Sequence, residues 1–242
     1  MAVDDGLTAQ MEPFDSFWEA PSDIEKGYST FKKFYQRNYF NNFKLKPSSR
    51  TLVISCGPGY FMEALKDKGY ENVQGIDADP AKINHAKNKG LNCSVENAFS
   101  FLNKNTVPYD MIVAEQEVNH LTKEELKTFL KLCYENLNKG GAIIVHSLNG
   151  ANPITGSEAL SQNYDHYHTL TEYSLKQVLE YTGYKRIKVF PLNLYIFFEN
   201  PLNYIGKVID SVLQIIFRLS FIFYGKSNRI FTKKIGAIGY KD

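Results

Sequence analysis

The chain has 242 residues, 43% of them hydrophobic, and its 28 basic and 26 acidic residues give a net charge of +2. This length can bury one substantial core, so we expect a single domain over residues 1–242. The small net charge argues against nucleic acid as a partner, and three cysteines without metal-ligand spacing and an N-terminus without an apolar leader favour a cytoplasmic protein.

Short apolar runs alternate with helical patterns from Thr51 onward. This alternation is typical of a parallel sheet with helices on both faces. The sequence therefore predicts an α/β, Rossmann-like fold with a mostly parallel sheet and a C-terminal antiparallel pair of strands. The predicted strands are, in chain order, 51–55, 72–77, 91–96, 109–115, 142–148, 185–192 and 230–240.

Helices are predicted at 60–68, from Pro80 onward, after Thr122, and at 171–181. Thr122 and Glu125 have the spacing of a capping box, which favours a helix beginning there. The paired glycines 140–141 are expected to end that helix.

Two segments lie outside the repeating pattern, so we divide the domain into four parts. Residues 1–50 are helical and aromatic and are interpreted as a lid, 50–192 as the cofactor-binding core, 195–228 as a helical insertion and 229–242 as the last strand. Residues 204–224 form an amphipathic pattern with a wide apolar face. This face either packs on the domain or a second copy, giving a monomer or a homodimer, or contacts a membrane or a lipid-linked acceptor.

The strand at 51–55 leads into a glycine turn, Gly57 and Gly59, that opens a helix. Such turns let the backbone approach a ligand, and an acidic residue at the end of the next strand can hold ribose hydroxyls. Asp77 stands there, 20 positions after Gly57. Met62 occupies the position where a dinucleotide fingerprint has its third glycine or alanine, which argues against NAD.

Ordered motifs over about 50–192 resemble those of class I S-adenosylmethionine-dependent methyltransferases: 52–59 (LVISCGPG), 75–80 (GIDADP), 96–99 (ENAF), 109–113 (YDMIV) with 118–121 (VNHL), and 137–141 (LNKGG). The resemblance implies S-adenosylmethionine as cofactor and S-adenosylhomocysteine as product. It implies cofactor-binding roles for Ser55, Gly57, Gly59, Asp77, Ala78, Asn97, Ala98, Glu115 and Tyr28.

The sequence departs from the family pattern at three positions. Val53 stands where an acid is usual, Ser55 where a further glycine is usual, and Asn97 where aspartate is commoner. A non-catalytic relative that binds the cofactor without turnover is therefore the alternative to an enzyme.

Segments 146–153 (HSLNGANP), 164–168 (YDHYH) and 170–175 (LTEYSL) are similar to methyltransferases of bacterial capsule and O-antigen polysaccharide biosynthesis. That resemblance implies an O-methyltransferase acting on a saccharide, or on a phosphate or phosphoramidate that decorates it. Methylation of another small metabolite on nitrogen or oxygen is the alternative.

A sugar hydroxyl must lose its proton during methyl transfer, and histidine suits this role. The candidate bases are His168, with Asp165 as its orienting partner, and His120. Glu115, His120, Asn149 and the loop 165–168 are expected to gather around the methyl group. Asp165, His166 and His168 also suggest a metal, but no further ligand is evident from the spacing, so we predict none.

Overall fold

Seven strands form one sheet in the computed structural model, which describes residues 24–161, 164–193 and 201–242, except for the side chains at 116–117. The strand order is β3-β2-β1-β4-β5-β7-β6. The five strands from β3 to β5 are parallel, and β7 runs antiparallel to both β5 and β6. The predicted fold class is confirmed. The strands are β1 Thr51–Ile54, β2 Val73–Asp77, β3 Cys93–Val95, β4 Tyr109–Glu117, β5 Leu137–Leu148, β6 Lys185–Leu192 and β7 Lys234–Tyr240.

Helices alternate with the parallel strands and cover the sheet on both faces. They are α1 Ile24–Asn38, α2 Tyr60–Lys66, α3 Pro80–Asn88, α4 Ala98–Lys104, α5 Lys123–Glu135, α6 Glu158–Ser161, α7 Glu172–Tyr181 and α8 Leu202–Phe223, with a 3-10 helix at Val118–His120. One apolar cluster joins α1 and α2 to one face of the sheet, and a second joins α5 and α7 to the other face.

The central strand β1 fixes where a ligand can bind. All four of its residues are buried, and it pairs with β2 on one side and β4 on the other. The chain therefore leaves β1 in one direction along the sheet and later returns to its opposite side. In open α/β sheets, ligands bind beyond the carboxyl ends of the strands at such a switch point.

Helix α5 begins as predicted but ends earlier. Thr122 and Glu125 form the predicted capping box, whereas the prediction that glycines 140–141 end this helix is wrong. The helix ends at Glu135, and the glycines lie inside β5. A break in register, between pairs Tyr109↔Leu137 and Met111↔Ala142, places extra residues of β5 there. Gly140 adopts φ +80° in this irregular stretch, so the glycines serve a bulge.

Smaller differences concern element ends. Helix α2 stops at Lys66, β3 is limited to Cys93–Val95, β4 extends to Glu117, and β7 begins only at Lys234. The short helix α4 was not predicted. Its seven residues are too few to produce a clear apolar periodicity.

Helix α1 presents an aromatic face to the sheet, as the stripe in the predicted lid suggested. Phe31, Phe34 and Tyr35 are buried, and Tyr39 is buried just beyond the helix. Residues 1–23 of the predicted lid and 194–200, which include the first part of the predicted insertion, lie outside the described residues. Within the described parts of the chain, no helix is both long and apolar enough to cross a membrane.

Candidate active site

The glycine turn after β1 has the backbone that a ligand cradle needs. Gly57 adopts φ +54° and Gly59 φ +89°. A Cβ at Gly59 would lie 2.3 Å from Leu91 Cδ1, so this glycine allows close packing, whereas a Cβ at Gly57 would meet no atom within 4 Å. The room for a ligand is therefore beside Gly57.

Ser55 adopts φ +55°, the left-handed conformation that favours glycine. The family pattern has a glycine at this position, so the serine keeps the backbone of the motif at some conformational cost.

Met62 on α2 packs against Gly75 of β2. A Cβ at Gly75 would lie 2.3 Å from Met62 Sδ. The glycine that allows close packing between helix and sheet is thus on β2, and Met62 fills the space.

Asp77 connects the two halves of the cradle. Its Oδ2 accepts a hydrogen bond from the backbone N–H of Gly57 at 2.7 Å, and its Oδ1 accepts one from Asp79 N–H at 2.9 Å. A carboxylate offers roughly four lone-pair sites, so about two remain for ligand hydroxyls. Asp77 therefore shapes the turn and can also hold a ribose diol.

Two polar residues near the cradle cap helices. Asp79 Oδ1 accepts from the N–H groups of Ala81 and Lys82 at the start of α3. The Oδ1 of Asn97 accepts from Phe99 N–H at 3.1 Å and Ser100 N–H at 3.2 Å at the start of α4. Capping leaves Asn97 its side-chain N–H groups for an adenine ring nitrogen. Ala78 and Ala98 directly follow Asp77 and Asn97 and can contribute only backbone polar groups.

Tyr28 attaches α1 to the glycine turn. Its hydroxyl donates to the Pro58 carbonyl oxygen at 2.5 Å, and its ring meets that of Tyr60 edge-on at 4.9 Å. A Cβ at Gly27 would lie 2.3 Å from the Tyr60 hydroxyl, so the glycine lets α1 approach this closely. Burial raises the pKa of Tyr28 to about 12, so its hydroxyl remains a donor.

Glu115 lies near the end of β4 and accepts a hydrogen bond from helix α1. Its Oε2 accepts a hydrogen bond from Tyr35 O–H at 2.5 Å, while its Oε1 is buried without a hydrogen-bond partner among the described residues. Next to it, the Tyr39 hydroxyl lies 3.1 Å from His146 Nδ1 on β5. Sequence reasoning did not assign Tyr35 a role. Its signal was the pair of tyrosines four residues apart on one helical face.

The structure brings three predicted side chains together beyond β4. The Nδ1 of His120 lies 2.9 Å from Asp165 Oδ2, and the rings of His120 and His166 meet edge-on at 4.6 Å. His166 Nδ1 lies 2.5 Å from the Ala159 carbonyl oxygen, so Nδ1 carries the proton there. Asp165 thus orients His120, which differs from the expectation that it orients His168.

The same three residues also have the composition of a metal-binding group. One ligand atom from each of His120, Asp165 and His166 lies within 4.8 Å of the others. Sequence spacing showed no third ligand because His120 is 45 positions away from Asp165.

His168 and Asn149 lie in more enclosed positions than predicted. Both ring nitrogens of His168 are buried and have no hydrogen-bond partner in the described residues. Burial lowers the pKa of His168, opposed by the nearby backbone of Leu121, so its ring is neutral at pH 7. The Asn149 side chain donates to the carbonyl oxygens of Ile230 and Thr232. These hydrogen bonds give Asn149 a structural role, because they connect it to the segment before β7.

Comparison with known proteins agrees with this geometry. Residues 52–141 match the family model of a methyltransferase domain. A SAM-dependent methyltransferase from Archaeoglobus fulgidus is similar over 88% of this chain and 94% of its own, with 23% identity and a TM-score of 0.65. No curated protein matches the sequence.

Two further similar structures hold the cofactor or its product. Haemonchus contortus phosphoethanolamine N-methyltransferase 2, in complex with S-adenosyl-L-methionine, is similar over 92% of this chain and 53% of its own, with 15% identity and a TM-score of 0.57. The plantazolicin methyltransferase BpumL, in complex with SAH, is similar over 90% of this chain and 86% of its own, with 18% identity and a TM-score of 0.56.

The segment that matches the family model, residues 52–141, extends from β1 to the first residues of β5. The predicted enzyme class, an S-adenosylmethionine-dependent methyltransferase, is therefore confirmed. The individual cofactor and catalytic residues stay predictions. The glycine turn of this methyltransferase contains Gly57 and accepts contacts from Asp77 and Tyr28. His120 and Asp165 lie beyond β4.

The methyltransferase should be more stable in mild acid because of Glu115. Burial raises the pKa of Glu115 to about 7 from 4.5, and the nearby hydroxyls of Tyr35 and Tyr39 oppose the rise. The folded protein holds this proton more tightly than the unfolded chain, so the stabilisation is fully present below about pH 4.5 and is lost as the pH rises through about 7. The free energy of unfolding should fall by about 3 kcal/mol over this range.

Urea unfolding at several pH values measures this slope. Glu115→Gln should remove it, and replacement of the exposed Glu71 by glutamine is the matched control. A slope that persists in Glu115→Gln would assign the effect to other groups.

Proposed function

We propose that this methyltransferase methylates a hydroxyl oxygen of a saccharide precursor or of a group that decorates it. The pairing of His120 Nδ1 with Asp165 Oδ2 at 2.9 Å carries the proposal. A carboxylate in this position fixes the imidazole tautomer with its proton on Nδ1 and leaves Nε2 as a base. Methylation of a neutral hydroxyl needs such a base, whereas an anionic phosphate oxygen does not.

The saccharide acceptor is supported by the sequence resemblance of 146–153, 164–168 and 170–175 to methyltransferases of polysaccharide biosynthesis. These segments extend from the last residues of β5 to the first residues of α7 and contain Asp165. Acceptor choice depends on such loops and not on the shared fold.

The residues present fit the predicted cofactor. Gly57 leaves open space, Asp77 retains free lone pairs, and Tyr28 covers the turn between them. When bound, S-adenosylmethionine supplies an electrophilic methyl group. His120 Nε2 would take the proton of the acceptor hydroxyl when that methyl group is transferred to its oxygen, and S-adenosylhomocysteine would be the other product. Holding the acceptor in line with that bond is worth roughly 7–11 kcal/mol of the barrier.

Methylation of a small-molecule amine is the second candidate function. One observation favours it: Glu115 Oε1 is buried and without a hydrogen-bond partner in the described residues, so it could accept a hydrogen bond from the N–H of a neutral amine. A neutral amine presents its own lone pair and needs no base for the transfer itself.

Incubation of the protein with S-adenosylmethionine and two acceptor sets, nucleotide sugars and small amines, separates these functions. We expect methyl groups on oxygen, identified by mass spectrometry of the hydrolysed products. Asp165→Asn should lower this turnover. Turnover on amines alone, lost in Glu115→Gln and kept in Asp165→Asn, would contradict the proposal.

A further inference from the structure

Helix α8 exposes an unusually apolar surface. Five residues at helical spacing form what we call the outer face of α8: Val208, Val212, Ile215, Leu219 and Ile222. Each is between 52% and 64% exposed. Isolated exposed apolar residues are ordinary, but a contiguous row of this kind marks an interaction surface.

The opposite side of α8 already has its packing partners. Phe217 and Phe221 meet the ring of Phe231 edge-on at 6.2 and 4.7 Å, and Leu213 lines a cavity of about 330 Å³ between the helix and the domain. This inner side of α8 therefore packs on the domain, whereas the residues of the outer face are more than half exposed.

Charge indicates what contacts the outer face. Residues 201–233 contain five cations and a single acid, a net charge of +4, whereas the rest of the chain has a net charge of −2. Lys207 and Arg218 lie on the flank of the outer face, and the exposed Lys226 and Arg229 follow the end of the helix. The acid, Asp210, accepts a hydrogen bond from Gln214 at 2.6 Å and lines the inner cavity.

A second copy of the chain fits this distribution less well. Lys207 lies five residues from the first residue of α8 and Arg218 five residues from the last. Two copies of α8 packed antiparallel through their centres would place Lys207 of one copy beside Arg218 of the other. Like charges that face each other destabilise an interface.

We propose that α8 lies in the surface of an anionic lipid bilayer, with its outer face among the acyl chains and its cations at the phosphate groups. A helix of 22 residues extends over about 33 Å along such a surface. Helices with a large apolar face and lysine or arginine at its edge bind anionic membranes in this orientation without spanning them. Variants of this face leave His120 and Asp165 unchanged, so membrane binding and methyl transfer can be measured separately.

Co-sedimentation of the full chain with phosphatidylglycerol or phosphatidylcholine vesicles tests the proposal. We expect binding at least about tenfold stronger to phosphatidylglycerol. The double variant Val208→Asn/Val212→Asn should lower that affinity at least about tenfold, because two exposed valines no longer enter the bilayer. Lys207→Gln/Arg218→Gln should lower it by roughly 25-fold, since each cation near an anionic surface contributes about a fivefold gain.

The matched control is Val107→Asn, because Val107 is 54% exposed and lies just before β4, outside α8. It should bind vesicles like the unchanged protein, and all variants should keep their melting temperature. Absence of binding to phosphatidylglycerol, or an equal loss in Val107→Asn, would overturn the proposal. A dimer that dissociates in Val208→Asn/Val212→Asn, without vesicle binding, would assign the face to a second copy and overturn it as well.

Discussion

Replacing His120 with alanine should lower kcat by roughly 10²–10⁴-fold, the usual contribution of a general base. The affinity for S-adenosylmethionine should not change, because His120 lies beyond β4 while the cradle is built from Gly57 and Asp77. Asp165→Asn should lower kcat less, since the imidazole remains but loses the carboxylate that orients it at 2.9 Å. Initial rates with saturating cofactor, together with calorimetric titration of the cofactor, measure both effects.

His85→Ala is the control for this prediction, because His85 is an exposed histidine on α3. Full activity in His120→Ala would remove His120 from the role of base. His168 would then be the remaining predicted base, as a histidine that is neutral at pH 7.

His166→Ala separates a base from a metal site at the same place. If His120 acts as a base, His166 only packs against it, and the variant and a chelator should each change kcat by less than about threefold, which is under 1 kcal/mol. The alternative is an ion held jointly by His120, Asp165 and His166, whose ligand atoms lie within 4.8 Å of one another. In that case the His166→Ala variant and the chelator should each abolish turnover.

The cofactor side of the site could be predicted because its signals are local. A glycine turn after a buried strand and an acid at the end of the next strand are each fixed by short stretches of chain. In the structure, Asp77 accepts a hydrogen bond from the backbone N–H of Gly57 at 2.7 Å, so the two residues lie at the same site. Asn97 was predicted from its position alone, and the structure adds that its carboxamide oxygen caps α4.

The acceptor side depends on contacts between distant parts of the chain, which spacing does not show. Asp165 meets His120 across 45 positions, and Tyr35 meets Glu115 across 80. Each partner was recognisable as polar and well placed, but the choice between His120 and His168 as the partner of Asp165 depends on how the loop after β5 folds back. Burial likewise decides that Glu115 has a pKa of about 7, and burial depends on α1 packing over it.

Gly57→Ala should weaken binding of S-adenosylmethionine by roughly 10- to 100-fold, the effect of placing a methyl group where a ligand must pack. A Cβ at Gly57 meets no protein atom within 4 Å, so the substitution fills only the open space of the cradle. It also places a side chain at φ +54°, which costs about 1–2 kcal/mol of stability.

Gly69→Ala separates the loss of stability caused by a positive φ from the loss of cofactor affinity. Gly69 has φ +83° and an equally open Cβ position, but it lies after α2 and outside the cradle. Both variants should therefore lose similar stability in thermal unfolding, while only Gly57→Ala should lose cofactor affinity in calorimetric titration. Equal affinities in the two variants would mean that the cofactor does not approach the turn at Gly57, and Asp77 would then serve only to hold the turn. A loss confined to Gly57→Ala would place the cofactor against this glycine, because backbone strain is matched and the occupied space is the remaining difference.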